Sequence, residues 1–505
     1  MSSVFSVVNK NNIIMPPMKF AMPMFNDFVP EKMRPWIYLF IAMCFQLSGA
    51  RYLGPLNEII GADGYMREDI LMCMYCNLAG MALWFPMLFR MKFRFSNKTL
   101  LTAASITVIV TNLLTAHITF LPLLWVVCFI EGVAKIQGTF ECMSNIQLWM
   151  TPKRDMKIFF PILHTVILSA IGFQDLLSSW FGHIGDWRLM HYLIIGLQCI
   201  VLVILTTCVH HFKFTNQPLY GIDWVGMVLW GVLMVLLAFL LDYGEHYDWF
   251  KSDATWYLVG FVIITFAMIL WRMNNNRHPY ITPEVFTSFK FVKPIFCLII
   301  IYEAVMGTEY VLEEAYLEDG LHYGTWTNAQ LVWPVWIGNI LGCAVSFFWM
   351  RIVNKFTYIR LGILGTCFLG GYILLMYFRV TPSLNIEALY LPLMLRGAAY
   401  SCLSIMFMVS LHDSMDFQHF FQGLSIFNML HMVIGGCIGC AFYAKGLNYY
   451  IADAVRNFAI FDDSQLVCLG VKTLYGWVAF VCVALLTGFL MFDSPIRRDR
   501  KMWKF

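Results

Sequence analysis

The pattern along this chain is one of long, nearly unbroken apolar runs, each followed by a short polar or turn-forming break. A helix needs about 20 apolar residues to cross the hydrocarbon of a bilayer, whereas a tilted barrel strand needs about 10. The runs fit the helical length and repeat from end to end. Fourteen are predicted, at 36–57, 70–89, 99–117, 120–148, 158–182, 189–210, 223–241, 256–273, 293–312, 326–350, 361–378, 388–410, 423–445 and 472–492, and we number them spans 1 to 14. Lipid offers no partner to an exposed backbone amide, and the runs are too long and continuous for barrel strands, so helix is the conformation they must take.

Composition agrees with the pattern. Of 505 residues, 60% are hydrophobic and only 13% charged, with a mean hydropathy of +0.68. A soluble chain carries about a quarter charged residues, so most of this surface must face lipid. The 15 cysteines are scattered through apolar runs and read as small apolar fillers rather than a disulfide framework. Cys73 and Cys76 have a C-x-x-C spacing but no second pair beside them, which argues against zinc or redox chemistry. A removable signal peptide is not expected, because the opening apolar stretch is short and broken by proline.

Charge becomes informative only by position. Of the 34 lysines and arginines, 24 fall on the side that carries both termini and seven on the other. Both termini are therefore expected in the cytoplasm. The opposite side collects Asp63, Glu68, Asp69, Asp242, Glu245, Asp248, Asp253, Glu318 and Asp319 in its loops. The sequon Asn97-Lys98-Thr99 falls on the basic side, where glycosylation does not occur. Two landmarks recur along the chain. The basic loop Arg90–Lys98 after span 2 reappears as Arg351–Arg360 after span 10, and Glu131-Gly132 in span 4 reappears as Arg396-Gly397 in span 12. Spans 1 to 6 then match spans 9 to 14, leaving 7 and 8 as an inserted pair. The expected divisions are a cytoplasmic segment 1–35, a first six-helix bundle 36–210, the inserted pair and linkers 211–290, a second bundle 291–492 and a basic tail 493–505.

Around the inserted pair the residues Ile222-Asp223-Trp224-Val225-Gly226, Leu241-Asp242-Tyr243-Gly244, Asp248-Trp249, Asn276-Arg277-His278-Pro279 and Pro283-Glu284-Val285-Phe286 occur in order. Pro152, Arg154 and Trp187-Arg188 lie before spans 5 and 6. On these residues the chain, from Trp36 to Phe492, resembles the fourteen-helix drug:proton antiporter branch of the major facilitator superfamily. The resemblance implies an all-α integral membrane fold of two six-helix bundles plus an inserted pair. It also implies proton-coupled efflux across a bacterial cytoplasmic membrane, with a periplasmic adaptor and an outer-membrane channel as partners. The signature positions depart from the family. The aspartate-threonine signature of span 1 is replaced by Leu47-Ser48-Gly49-Ala50-Arg51, and the arginine and glutamine-glycine of span 4 by Cys128 and Glu131-Gly132. The glycine- and proline-rich motif of span 5 is reduced to Gly172-Phe173-Gln174-Asp175.

Charges inside spans are the strongest chemical signal, since each would cost about 2.5–3.5 kcal/mol at a lipid-facing helix centre. Glu131, Lys135, Arg51, Asp175, Glu303, Glu309 and Arg396 are the candidate residues of a proton-coupling or substrate cavity, lined by spans 1, 4, 5, 9 and 12. Glu141 also lies within a span. Glu131 and Lys135 are four apart on one helical face and are positioned to pair. Burial disfavours an ionised carboxylate and a nearby cation favours it, so alternating access to Lys135 or Arg51 would load and unload a proton on Glu131. An acidic mouth around Glu303 and Glu309 suits cationic cargo, with Glu313 and Glu314 expected in the interfacial layer. Arg90, Arg94, Arg351 and Lys355 are the candidate cytoplasmic gating residues. His164, His191 and His431 are expected as hydrogen-bonded packing residues. Trp36, Trp187, Trp249 and Trp256, among others at span ends, are expected as interfacial anchors, and Trp333 and Trp336 as cavity wall.

The function expected is secondary active transport of a drug-like or amphipathic small molecule by alternating access, coupled to protons, with the lipid bilayer as surroundings. No cofactor, metal or nucleic acid is expected. Uptake of a nutrient or metabolite is the alternative. A metal-dependent membrane enzyme is disfavoured: no H-x-x-x-H spacing occurs, and the only dense ligand cluster, His412–His419, reads as a solvated loop.

Overall fold

The computed structural model describes residues 21–49, 52–151, 155–213, 218–287, 292–352, 357–457 and 462–493. Arg51 and Lys355, with Pro152, Arg154 and the tail from 494, lie outside the described residues. Thirteen helices are long and apolar enough to cross a membrane among those described. We label them by the predicted spans: α2 (Arg67–Arg94), α3 (Asn97–His117), α4 (Leu121–Met150), α5 (Met156–Ile184), α6 (Leu189–Cys208), α7 (Trp224–Asp242), α8 (Asp253–Asn275), α9 (Val292–Gly320), α10 (Thr325–Arg351), α11 (Ile359–Arg379), α12 (Ile386–Ser414), α13 (His419–Asn457) and α14 (Asp463–Met491).

The first span departs from expectation. Its helix, α1, covers Arg34–Gln46 only, and a second, short helix follows at Leu56–Asp63. Thirteen residues reach about 20 Å, well short of a hydrocarbon core about 30 Å thick. The helix ends after Gln46; Ser48 and Gly49 are not helical, and Gly54-Pro55 lie in a turn before the next helix, residues that resist or cannot propagate a helix. Gly54 and Pro55 are pressed against α5, where a Cβ on Gly54 would lie 2.4 Å from Ser179 Oγ and one on Gly182 would lie 2.4 Å from Pro55 Cβ. Irregular backbone at membrane depth is tolerated only where protein or an internal cavity surrounds it, which places this break in the interior.

The other helices form two bundles whose packing repeats with an offset of eight. The pairs α2–α4, α3–α4, α3–α6 and α1–α6 reappear as α10–α12, α11–α12, α11–α14 and α9–α14. The bundles meet along α5–α10 and α2–α13, and these two contacts exchange under the same offset. Glycine fixes the closest approaches. A Cβ on Gly132 of α4 would lie 2.0 Å from the Asn77 carbonyl of α2, and one on Gly397 of α12 would lie 2.3 Å from the Val335 carbonyl of α10. The two ionisable-residue-plus-glycine landmarks thus occupy equivalent helix crossings.

The inserted helices α7 and α8 pack on each other, and α7 also touches α2 and α13. Only 17% of the apolar window of α8 is buried, so this helix lies at the rim. Two landmark residues hold the pair. Asp223 caps α7 through the Gly226 amide at 2.9 Å and receives Arg272 Nε of α8 at 2.7 Å. At the other end the Tyr243 hydroxyl donates to Asp69 at the start of α2. The helical ladder is interrupted by a 3-10 turn, Phe85–Met87, at Pro86 in α2. It widens into π-helical turns at Glu309–Glu313 and Tyr316–Gly320 in α9 and at His431–Ile438 in α13.

Candidate functional site

The intramembrane charges gather in two groups, one in each bundle. In the first bundle Glu131 is fully buried and accepts Asn112 Nδ2 at 2.8 Å; Asn112 Oδ1 in turn meets His191 Nδ1 at 2.9 Å. The second carboxylate oxygen of Glu131 has no hydrogen-bond partner among the described residues. Lys135 does not close the expected ion pair with Glu131. Its ammonium donates to the Ser48 carbonyl at 2.6 Å. The reason is the break after α1: unwinding frees carbonyls that α1 would otherwise use, and a buried ammonium is the strongest donor within reach. Lys135 therefore holds a broken helix end in place of a cation. Asp175 on α5 stands where the charges of both Glu309 and Lys135 reach it, which links the two groups across the interface.

In the second bundle Arg396 of α12 receives two carboxylates from α9. Its Nη1 donates to Glu313 Oε2 at 2.5 Å and its Nη2 lies 3.1 Å from Glu309 Oε1. The Tyr372 hydroxyl donates to the other oxygen of Glu313 and meets the Tyr475 hydroxyl at 3.0 Å. Glu313 is thus a buried member of the cluster, 7% exposed, and not an interfacial residue. The cause is length: α9 continues to Gly320 rather than ending near 312, so Glu313 lies seven residues inside it. Glu314, partly exposed, instead pairs with Arg67 at the start of α2. One helical stretch deeper, Glu303 is fully buried with Oε2 at 2.8 Å from His431 Nδ1 of α13, while its Oε1 has no partner among the described residues.

A third buried network lies toward the basic face. Lys92, 5% exposed, donates to Ser144 Oγ at 2.6 Å and lies 3.5 Å from Glu141 Oε2, which also accepts Asn97 Nδ2 at 2.9 Å. Among the basic residues after span 2, Lys92 is thus the one turned into the protein. Of the candidate gating residues, Arg90 reaches the Gly221 carbonyl at 3.4 Å, Arg94 ends α2, and Arg351 sits 5.9 Å over the Phe347 ring. Further contacts join the bundles on this face. Lys157 of α5 lies 3.1 Å from Asp413 of α12, and Phe89 of α2 packs on Phe417, just before α13, and on Phe421 of α13, with centroids 5.0 and 4.6 Å apart. On the acidic face the bundles join through Arg67–Glu314 and through Asn57 Nδ2 to Glu318 at 3.0 Å. Among the described residues, contacts thus bridge the two bundles on both faces.

Some aromatic expectations change. Trp187 is 4% exposed and packs on Arg188 and His191, whereas Trp36 and Trp256 face outward as expected. Trp333 is half-exposed, but Trp336 lies against Gly172, where a Cβ would meet its ring at 3.3 Å. His164 bonds the Phe160 carbonyl at 3.1 Å, the packing role expected. His191 and His431 are hydrogen-bonded as well, His191 to Asn112 and His431 to Glu303. His412 faces Asp413 and the ring of Phe420, and no group of three ligand residues able to hold a metal occurs among the described residues.

Helices, repeat and interior charges together define a multi-pass integral membrane protein with the major facilitator fold. No family model matches the chain. Over 291 residues it is 25% identical to the multidrug export protein EmrB of Haemophilus influenzae, covering 56% of this chain and 54% of that protein. Over 232 residues it is 24% identical to EmrB of Escherichia coli K12, covering 44% and 43%. The chain thus spans about half the length of the curated relatives it matches. Among solved structures, the peptide transporter POT in complex with sulfate superposes with a TM-score of 0.61 at 14% identity, covering 94% of this chain and 98% of that one. The nucleoside transporter NupG gives 0.56 at 13% identity, covering 92% and 100%. The major facilitator superfamily proton:xylose symporter XylE gives 0.52 at 13%, covering 89% and 94%. The resemblance to the superfamily therefore stands on both sequence and fold.

Proposed function

We propose that this protein is a secondary active transporter that exports a drug-like or amphipathic small molecule by alternating access, driven by protons. The observation that carries the reading is the distribution of interior charge. Glu131, Lys135 and Asp175 belong to the first bundle and Glu303, Glu309, Glu313 and Arg396 to the second, and Asp175 lies on α5, which packs across the interface that contacts bridge on both faces. Charges of this cost are retained in membrane interiors where a substrate or ion pathway uses them. Rocking of one six-helix bundle (36–210) against the other (291–492), with 211–290 riding at the rim, would open that interface to each side in turn. The similarity to EmrB favours export as the direction. We place the protein in the cytoplasmic membrane with both termini inside, consistent with the basic asymmetry, and a periplasmic adaptor with an outer-membrane channel as its partners.

Within this reading Glu131 is the principal proton-coupling residue. It is sealed, one oxygen is held by Asn112 and the other is open to a proton, and Lys135 is near enough to act on it electrostatically. Glu131→Gln keeps the shape and the Asn112 contact but cannot titrate. In proteoliposomes it should abolish accumulation driven by a pH difference while leaving downhill exchange largely intact. A mutant that still concentrates substrate on a pH difference alone would make Glu131 structural. Substrate class is found by growing a deletion strain against a panel of toxic compounds and nutrients: hypersensitivity supports export, and failure to use one nutrient would replace it with uptake.

A further inference from the structure

The Glu303–His431 contact is built unlike the other interior ion pairs. Glu303 keeps 1% of its side chain accessible, whereas His431 keeps 23%. One imidazole nitrogen, Nδ1, meets Glu303 Oε2 at 2.8 Å, and the ring is the more accessible member of the pair. Glu303 Oε1 has no partner among the described residues. Gly435, one turn from His431 on α13, lies against the same oxygen: a Cβ there would stand 2.8 Å from Glu303 Oε2. His431 also begins the π-helical turns of α13, a wide-turn geometry that recurs at functional sites. Other ionisable groups face the pair from each packed helix. Glu309 and Tyr302 lie on α9 and Tyr400 on α12, while Tyr75 and Cys76 of α2 and Asp242 of α7 face Cys437, six residues further along α13.

We propose that His431 is a proton relay from the accessible side of its ring to the sealed carboxyl of Glu303, making this pair a second proton-binding site, in the second bundle. Imidazole can take a proton at Nε2 and release the one on Nδ1. In the forward step a hydronium gives its proton to Nε2, the Nδ1 proton passes to Glu303 Oε2, and the neutral ring is left as the other tautomer, accepting from the new carboxylic acid. Discharge runs the same transfers backward and restores the starting tautomer, so each passage moves one proton and consumes nothing. The proposal extends the proton-coupled reading to the second bundle and rests on it, while occupying residues distinct from Glu131.

The test needs no substrate. The purified full-length chain in lipid bilayers is taken through a pH jump, and the infrared band of protonated carboxyl groups is followed in time. The band of Glu303 should vanish in Glu303→Gln and shift in Glu303→Asp. In His431→Gln it should reach its usual amplitude but arrive more slowly by about a hundredfold, the low end of what a positioned proton-transfer group contributes. His431→Asn carries the same expectation should the glutamine variant fail to fold. A spectrum unchanged by both Glu303 substitutions, or an undiminished rate in the His431 variants, would overturn the proposal. Glu131→Gln should remove a separate band and leave that of Glu303, so failure at one site is distinguishable from failure at the other.

Discussion

Arg396 shows how much one side chain decides in this interior. Its guanidinium serves Glu313 and Glu309 with different nitrogens, a geometry that the planar fork of arginine supplies and the single ammonium of lysine does not. Arg396→Lys should therefore behave as a partial loss and Arg396→Gln as a full one. Removing one member of a buried pair costs about 3–5 kcal/mol, and the lower end applies here because Glu309 keeps 37% of its side chain accessible. The double variant Arg396→Gln/Glu313→Gln should recover much of that loss by removing the stranded charge. Thermal unfolding in detergent checks both; equal midpoints for the single and double variants would mean that Glu313 does not depend on Arg396.

Helix crossings carry the argument at the next scale. Gly132 and Gly397 are equivalent under the eight-helix offset, and each lets a neighbouring carbonyl approach to a distance that excludes a methyl group. Gly132→Ala and Gly397→Ala should each force their helix pair apart and destabilise the protein by about 1–3 kcal/mol, the range for overpacking a tight site. Gly61, with nothing within 4 Å of its Cβ position, is the control. Thermal midpoints of the three alanine variants decide the matter, and a loss at Gly61 as large as at Gly132 would remove the crossing as the cause. The break after α1 belongs to this scale too. Only because the helix stops at Gln46 does Ser48 offer a carbonyl to Lys135.

For the whole molecule the question is which set of contacts yields first. The acidic face is joined by Arg67–Glu314 and Asn57–Glu318, the basic face by Lys157–Asp413 and the Phe89 cluster. Under alternating access these contacts compete, so weakening one set should populate the state open on that face. Arg67→Gln should raise reagent access to interior cysteines from the acidic side, and Lys157→Gln from the basic side. Spin-label distances across each face measure the shift, and identical responses to both variants would contradict rocking about a central site. Orientation is checked separately. A reporter active only in the cytoplasm should signal when fused at Asp493 and stay silent at Asp248; the reverse would invert the membrane assignment.

Thirteen of the spans, the eight-helix repeat and the placement of charge in α4, α5, α9 and α12 were legible from the residues alone, while the break in the first span and the length of α9 were not. Lipid imposes helix on every long apolar run, and a charge inside such a run is conspicuous by its cost. Pairing was not legible. Glu131 and Lys135 share a helical face, yet their partners are Asn112 and Ser48, brought in from α3 and from the unwound stretch. His431 reads in sequence as one more apolar-run histidine, and it reaches Glu303 only because α13 packs on α9. Glu313 looked interfacial because the acids in 309–319 lower the local hydropathy and hide the continuation of α9. Sequence determined the membrane solvent and which residues are costly, because these follow from each residue's own transfer free energy. The tertiary structure decided which charge answers which, because that depends on helix contacts between residues as much as 256 positions apart.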